Sequence, residues 1–286
     1  MKSPSPVPSL PELRRDIDRI DEAMHRLLME RGGIIDRLIA VKQSQETGSA
    51  FRPAREADMM RRLVERHRGI LPLDTVESIW RVIISTFTYV QSAYAVHADV
   101  SAGEAAMRDS ARFHFGFTAP FVPHMGAAGV VEAVSASKGD LGLVPAIAGA
   151  GAWWTLLEPP DAPRIIARLP FVERSDHPAA LPVFAVSRPA ADAVVTDVEV
   201  WSLRVAGWSR AAATAVDALA ETIALPDRAF DGAALLVSIP KLQPLDSVTE
   251  ALVKAGASVR ASTLVGSHAT RYRVADDGDR PVPSGR

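Results

Sequence analysis

Near the start of the chain, apolar residues recur at Leu10, Leu13, Ile17, Ile20, Met24, Leu27, Ile34, Leu38 and Val41. Steps of three and four lay them as one continuous stripe on a helix. The stripe predicts a helix from Ser9 to about Gln45, opened by Ser9 and Glu12 as a capping box in which the glutamate reaches back to the serine. Such a helix extends about 55 Å at 1.5 Å per residue, too long to be buried against one short neighbour. It calls for a partner, and a second copy of the chain is the natural one. Gly48 and Pro53 interrupt it, a second helix runs from about Ala54 to Arg68, and Gly69 and Pro72 stop that one. A third begins near Leu73, sets Trp80, Ile84, Phe87, Gln91 and Tyr94 on one stripe, and fades around His97. The first hundred residues carry no strand signal.

After Ala111 the period changes. Short runs rich in valine, isoleucine and phenylalanine, at Leu141–Val144, Arg164–Ala167, Val183–Val186, Val198–Val205, Ala233–Ile239 and Ser258–Val265, alternate with helical stretches at Gly126–Ser137, Arg210–Glu221 and Leu245–Ala255. That alternation predicts an α/β domain of two small lobes. The expected organisation is a flexible N-terminus (1–8), an all-α three-helix bundle (9–97), a linker of small and mixed-charge residues (98–110), the α/β domain (111–275) and a polar tail (276–286).

Composition narrows the chemistry. Of 32 cations 27 are arginine, yet 34 carboxylates hold the formal charge at −2, and residues 1–97 carry 15 cations against 13 anions. No long-range basic field is available for a nucleic-acid partner. There is no cysteine, which excludes disulfides, thiolate nucleophiles, zinc-thiolate sites and iron–sulfur clusters, and no asparagine. Met1–Pro8 has no apolar core of a signal peptide. The longest uncharged stretch, Leu141–Leu157, holds Pro145 and three glycines and is shorter than the roughly 20 residues of a membrane-spanning helix. A cytoplasmic protein without a membrane partner is expected. The histidines show no HExxH spacing, there is no G-x-S-x-G elbow, and Gly149-Ala150-Gly151 lacks the third glycine of a dinucleotide site and reads as a turn.

Position 31 falls where the spacing of the first helix wants an apolar residue, and it is Arg31. A guanidinium in a helix seam is costly unless an anion meets it. Lys42, eleven residues on and close to three whole turns, shares nearly the same face. Gln91 interrupts the stripe of the third helix, and Arg55 and Glu56 open the second. Each has a plain alternative: a core ion pair for Arg31, a snorkelling lysine, a helix-end charge for Glu56, a satisfied core amide for Gln91. Their joint occurrence describes a polar, arginine-rich pocket within a helical bundle. Arg14 lies 17 residues before Arg31, about 25 Å along the axis, so a straight helix cannot bring both to one small ligand. In an antiparallel dimer the partner's Arg14 enters the pocket; otherwise it is a solvated surface residue.

The stretch Leu13–Lys42, LRRDIDRIDEAMHRLLMERGGIIDRLIAVK, with Arg55-Glu56 and Gln91, resembles the all-helical class of chorismate mutases over residues 9 to 97. The resemblance implies an intertwined homodimer that converts chorismate to prephenate by Claisen rearrangement, in phenylalanine and tyrosine biosynthesis, with no cofactor and no metal. It implies that Arg31 and the partner's Arg14 hold the two substrate carboxylates, that Lys42 and Gln91 donate to the ether oxygen, and that Glu56 accepts from the ring hydroxyl with Arg55 assisting. Arg52 and Phe87 stand where the family has an acidic residue and a small hydroxyl.

Val130–Gly151, VVEAVSASKGDLGLVPAIAGAG, and Thr270-Arg271-Tyr272 resemble parts of prephenate dehydratases. The Glu-Asn-Ser motif of that family is replaced after Val144-Pro145 by Ala146-Ile147-Ala148, and a chain without asparagine cannot carry it elsewhere. The expectation is a catalytically inactive relative that binds a small molecule or stabilises the dimer. The alternatives are a bifunctional mutase/dehydratase and, in another class, a non-enzymatic dimeric ligand-sensing protein in which Arg31 and Lys42 only set helix register.

Overall fold

The computed structural model describes residues 8–42, 50–188, 197–227 and 232–274, Lys42 and Asp227 by their backbone alone. The chain divides into two units, residues 1–47 and 48–286.

Among its described residues the first unit is one helix, α1 (Leu10–Lys42). Its start is built as the capping box predicts: the Glu12 carboxylate accepts from both the backbone N–H and the hydroxyl of Ser9, each at 2.7 Å, and these bonds lower the Glu12 pKa. The stripe of Leu13, Ile17, Ile20, Met24 and Leu27 is exposed along its length. The expected stop at Gly48 lies outside the described residues, as do the two chain ends.

The second unit begins with α2 (Pro53–Arg66) and α3 (Leu73–Gln91). Pro53 occupies the first turn of α2, where its missing N–H costs nothing. After α3 come β1 (Val96–Asp99), α4 (Glu104–Phe115), β2 (Phe121–His124), α5 (Ala127–Ala136) and β3 (Leu141–Pro145). Two 3-10 turns, Ala148–Ala150 and Trp153–Leu157, lead to β4 (Arg164–Leu169), β5 (Val172–Glu173) and β6 (Val183–Ser187). The remainder is β7 (Val198–Ala206), α6 (Arg210–Asp217), β8 (Glu221–Asp227), β9 (Gly232–Pro240), α7 (Leu245–Lys254), β10 (Ser258–His268) and β11 (Tyr272–Arg273).

Among the described residues, nine strands form one sheet in the order β2-β1-β3-β6-β4-β10-β7-β9-β8, and β11 pairs with β5 apart from it. The expected two lobes are two halves of this sheet. In the first, β2, β1 and β3 run parallel and β6 lies antiparallel between β3 and β4. All five residues of β3 and of β6 are buried, which explains why both read as unbroken apolar runs and not as alternating ones. The second half, β7-α6-β8-β9-α7-β10, is a split βαβ arrangement with antiparallel neighbours throughout. α6 starts at Ser209, whose hydroxyl accepts from the Ala212 N–H.

The halves meet where β10 runs parallel to β4 at Gly266 opposite Ile165. Gly266 has φ +155°, and a Cβ there would lie 2.2 Å from the Ile165 carbonyl oxygen. Only glycine fits.

Three apolar cores hold the unit together. α6 and α7 cover one face of the second half through Val216, Val248 and Leu252 against Leu203 and Leu235. α5, Trp153 and Trp154 pack on Val144, Phe184, Leu236 and Val265. The remaining core joins Met60 and Leu63 of α2 and Ile84 of α3 to Val96, Met107, Phe115 and Val172. α2 and α3 are therefore built into the α/β unit, and the boundary expected at 98–110 is not a linker: it holds the end of β1, a turn and the first half of α4. α3 stops at Gln91 rather than near His97, and Tyr94 packs edge-on against Tyr89 and Phe115 instead of extending the helix stripe. α6 ends at Asp217, short of the expected Glu221, and after a turn Glu221 opens β8.

Replacing Gly266 by alanine forces the two halves apart or strains the backbone, and should destabilise the protein by about 2 kcal/mol or more. Urea unfolding of the G266A variant, read as a lower midpoint with an unchanged slope, checks this.

Candidate active site

The six residues singled out in the helices lie in both units. Arg14 is exposed and Arg31 half-buried on α1, whose last residue is Lys42. In the second unit, Arg55 is exposed in the first turn of α2 while Glu56, next to it, is buried. Gln91 ends α3, half-buried, and its side-chain amide donates to the Phe87 carbonyl oxygen one turn back at 3.0 Å.

What meets Glu56 is a residue the sequence pattern did not single out. Arg81, on α3, is buried, and its Nη1 donates to Glu56 Oε2 at 2.6 Å. Its Nε and Nη2 both donate to the His114 carbonyl oxygen of α4, at 3.2 and 2.8 Å. The guanidinium also stands 5.3 Å from the centre of the Phe171 ring. One side chain thus ties α2, α3 and α4 together. Burial raises the Glu56 pKa, with the Arg81 charge opposing. The same burial, with Glu56 as the lesser contributor, pushes up the phenol of Tyr94.

A turn before Arg81 on α3, Glu77 forms a second buried knot. Its Oε2 accepts from Arg174 Nη1 at 2.7 Å, and its Oε1 faces His177 Nε2 at 3.2 Å. His177 Nδ1 accepts from the Ala179 N–H, so Nε2 carries the proton and donates to Glu77. His114 stacks on His177 with ring centres 6.1 Å apart, and neither of its ring nitrogens has a hydrogen-bond partner. Burial, then the charge of Arg81, holds its pKa well below 6.5. The face α3 turns inward is therefore Leu73, Val76, Glu77, Arg81, Ile84, Ser85 and Thr88. It is rotated from the stripe of Trp80, Phe87 and Gln91 that hydrophobicity alone picked out. The signal was present as Glu77 and Arg81 at the same three-four spacing as Leu73, Val76 and Ile84.

In the α/β part, Thr270 is exposed, while Arg271 is ion-paired with Glu173 (3.0 Å) and Glu221 (2.6 Å). Gly149-Ala150-Gly151 is an exposed 3-10 turn and the glycine that ends it. Among the described residues there is no group of three or more histidine, aspartate or glutamate side chains placed to hold a metal ion, and no helix long and apolar enough to cross a membrane.

Residues 13–92, which include α2, α3 and most of α1, match the family model for chorismate mutase type II. The chain is also 31% identical over 140 residues to the bifunctional chorismate mutase/prephenate dehydratase of Aquifex aeolicus (strain VF5). That match covers 48% of this chain and 38% of the relative, so the chain spans well under half of the curated protein it resembles. Among solved structures, the prephenate dehydratase of Streptococcus mutans aligns over 63% of this chain and 100% of its own, with 11% identity and a TM-score of 0.35.

Two predictions follow from the buried network. Arg81→Met leaves Glu56 buried without its counter-charge and should cost about 3 to 5 kcal/mol in chemical unfolding, part of it regained in the double variant with Glu56→Leu. For His114 the unfolded chain takes up its proton first, so stability is lost as pH falls below about 6.5. His268, held near pKa 4 chiefly by burial, acts in the same direction between 6.5 and 4. The His114→Leu variant, which removes two unpartnered polar atoms, should gain on the wild type by up to about 1.4 kcal/mol for each pH unit below 6.5. Thermal melts of both proteins between pH 7 and 5 measure the difference.

Proposed function

We propose that the helical segment catalyses the rearrangement of chorismate to prephenate, in a cytoplasmic route to phenylalanine and tyrosine, and that it does so as a homodimer. The observation that carries the reading is the family match over residues 13–92, which contains Arg14, Arg31, Lys42, Arg55, Glu56 and Gln91 together. The exposed apolar stripe of α1 supports the dimer, since a second α1 laid along it removes that surface from water. The 17-residue separation of Arg14 and Arg31 supports a shared site, because a straight helix sets the two about 25 Å apart and a second chain supplies the arginine that one chain cannot.

The rearrangement breaks a C–O bond and forms a C–C bond within one molecule, so it needs no nucleophile and no cofactor. The work for the protein is to fold the enolpyruvyl arm over the ring and to stabilise negative charge growing on the ether oxygen. Arg31 and the partner's Arg14 hold the carboxylates through their planar guanidinium forks, and Lys42 and Gln91 donate to the ether oxygen. Glu56 accepts from the ring hydroxyl, its carboxylate fixed by Arg81, and Arg55 assists at a carboxylate. For Gln91 to serve, its amide must exchange the Phe87 carbonyl for substrate.

A second reading, a bifunctional mutase and dehydratase, is favoured by the name of the Aquifex relative. The sequence after Val144-Pro145 counts against it, and the proposal here is an α/β domain without dehydratase activity.

Loss of chorismate followed in the ultraviolet should show turnover by the wild type, and Arg31→Ala and Lys42→Ala should each lower kcat/KM by about a hundredfold or more. No turnover by the wild type, or wild-type turnover in both variants, removes the mutase. Phenylpyruvate formed from prephenate by the purified protein would establish the bifunctional reading instead.

A further inference from the structure

A cavity of about 370 Å³ opens between the end of β4, the β5–β6 connection and the start of β11. Its volume falls in the range of small-molecule pockets. Three guanidinium groups converge on it: Arg168 from β4, Arg174 just after β5, and Arg271, distant in sequence, before β11. Pro170, Ala179 and Pro182 add an apolar wall.

The three arginines are not equally compensated. Arg271 is held by Glu173 and Glu221. Arg174, its side chain only 4% exposed, is paired through Nη1 with Glu77 and through Nε with Asp176, but its buried Nη2 has no hydrogen-bond partner. Arg168 is the least satisfied. Its side chain is 11% exposed, Glu221 stands 3.7 Å from one Nη, and its buried Nε has no hydrogen-bond partner. The group lies 4.6 Å over the Phe184 ring. Burial, with the charge of Arg271 behind it, lowers its pKa to about 10. A buried cation with unused donors is costly unless an anion reaches it.

We propose that this cavity is a second ligand site, taking a small organic monocarboxylate whose charged end is held by Arg168 and Arg174 and whose apolar body lies against Pro170, Ala179 and Pro182. A single negative charge suits the site better than a phosphate. Glu173 and Glu221 already line the cavity and repel a dianion, while a planar carboxylate matches the fork of a guanidinium. The site stands independently of the mutase reading, since none of the residues in that reading lines it.

The test is calorimetric titration of the full chain with cyclohexanecarboxylate, with cyclohexylmethanol and inorganic phosphate as comparison arms. The acid should bind saturably at one per chain, and the alcohol and phosphate should bind at least about tenfold more weakly. Arg168→Gln should weaken the acid by about tenfold or more. Ala180→Trp, which fills the exposed mouth without touching a charge, should do the same with an unchanged far-UV spectrum, and decides the matter if the first variant fails to fold. Absence of saturable binding, equal binding of the alcohol or of phosphate, or wild-type affinity in every folded variant overturns the site.

Discussion

A single guanidinium organises the helical side of the second unit. Arg81 sits in a core that also holds Phe171 and Tyr94, and it is tolerable there only because Glu56 and the His114 carbonyl take its hydrogen bonds. Those two partners belong to α2 and α4, so the charge dictates where both helices stand relative to α3. Apolar contacts alone permit a helix to slide or rotate by a fraction of a turn at modest cost. A buried charge with fixed acceptors does not. Glu77, one turn earlier, repeats the device toward Arg174 and His177. Two carboxylates and two arginines thereby fasten the helices to the strands, and Glu56, the residue with a proposed part in chemistry, is held by the same fastening.

Much of this fold is legible in the chain because its elements obey their periods. The stripe of α1 and the capping box at Ser9 are read directly, and each of the apolar runs from Leu141 to Val265 became a strand within a few residues of its expected bounds. β1 and β2 escaped notice for a physical reason. Each has four residues, β1 is nearly buried on both faces, and neither shows the alternation that marks a half-exposed strand. α4 was masked by its small and charged residues, although Met107, Ala111 and Phe115 form its inner face. On α3 the stripe read from hydrophobicity lies to one side of the buried face and shares only Ile84 with it, and for this reason it missed Glu77 and Arg81.

The candidate mutase residues were legible as a set of residue types at set spacings, but not as a geometry. Arg55 and Glu56 are adjacent in sequence and differ fully in exposure, since consecutive helix positions turn by about 100°. Gln91 was found on its helix, yet the bond of its side-chain amide to the Phe87 carbonyl, one turn back, is a choice of rotamer that spacing does not give. The arginine-lined cavity of the α/β part could not be foreseen, because Arg271 meets Arg168 and Arg174 only through the topology.

The close approach at Gly266 has a bearing on how the chain can be divided. Because β4 and β10 are neighbours in one sheet, separating the halves by truncation would uncover an edge on each piece, with backbone N–H and C=O groups ready to pair with any extended chain. Fragments cut there would be prone to self-association whatever the quality of their own cores. The glycine that lets two strands touch thus also makes the two halves indivisible in practice, and it binds their evolutionary and experimental fates together.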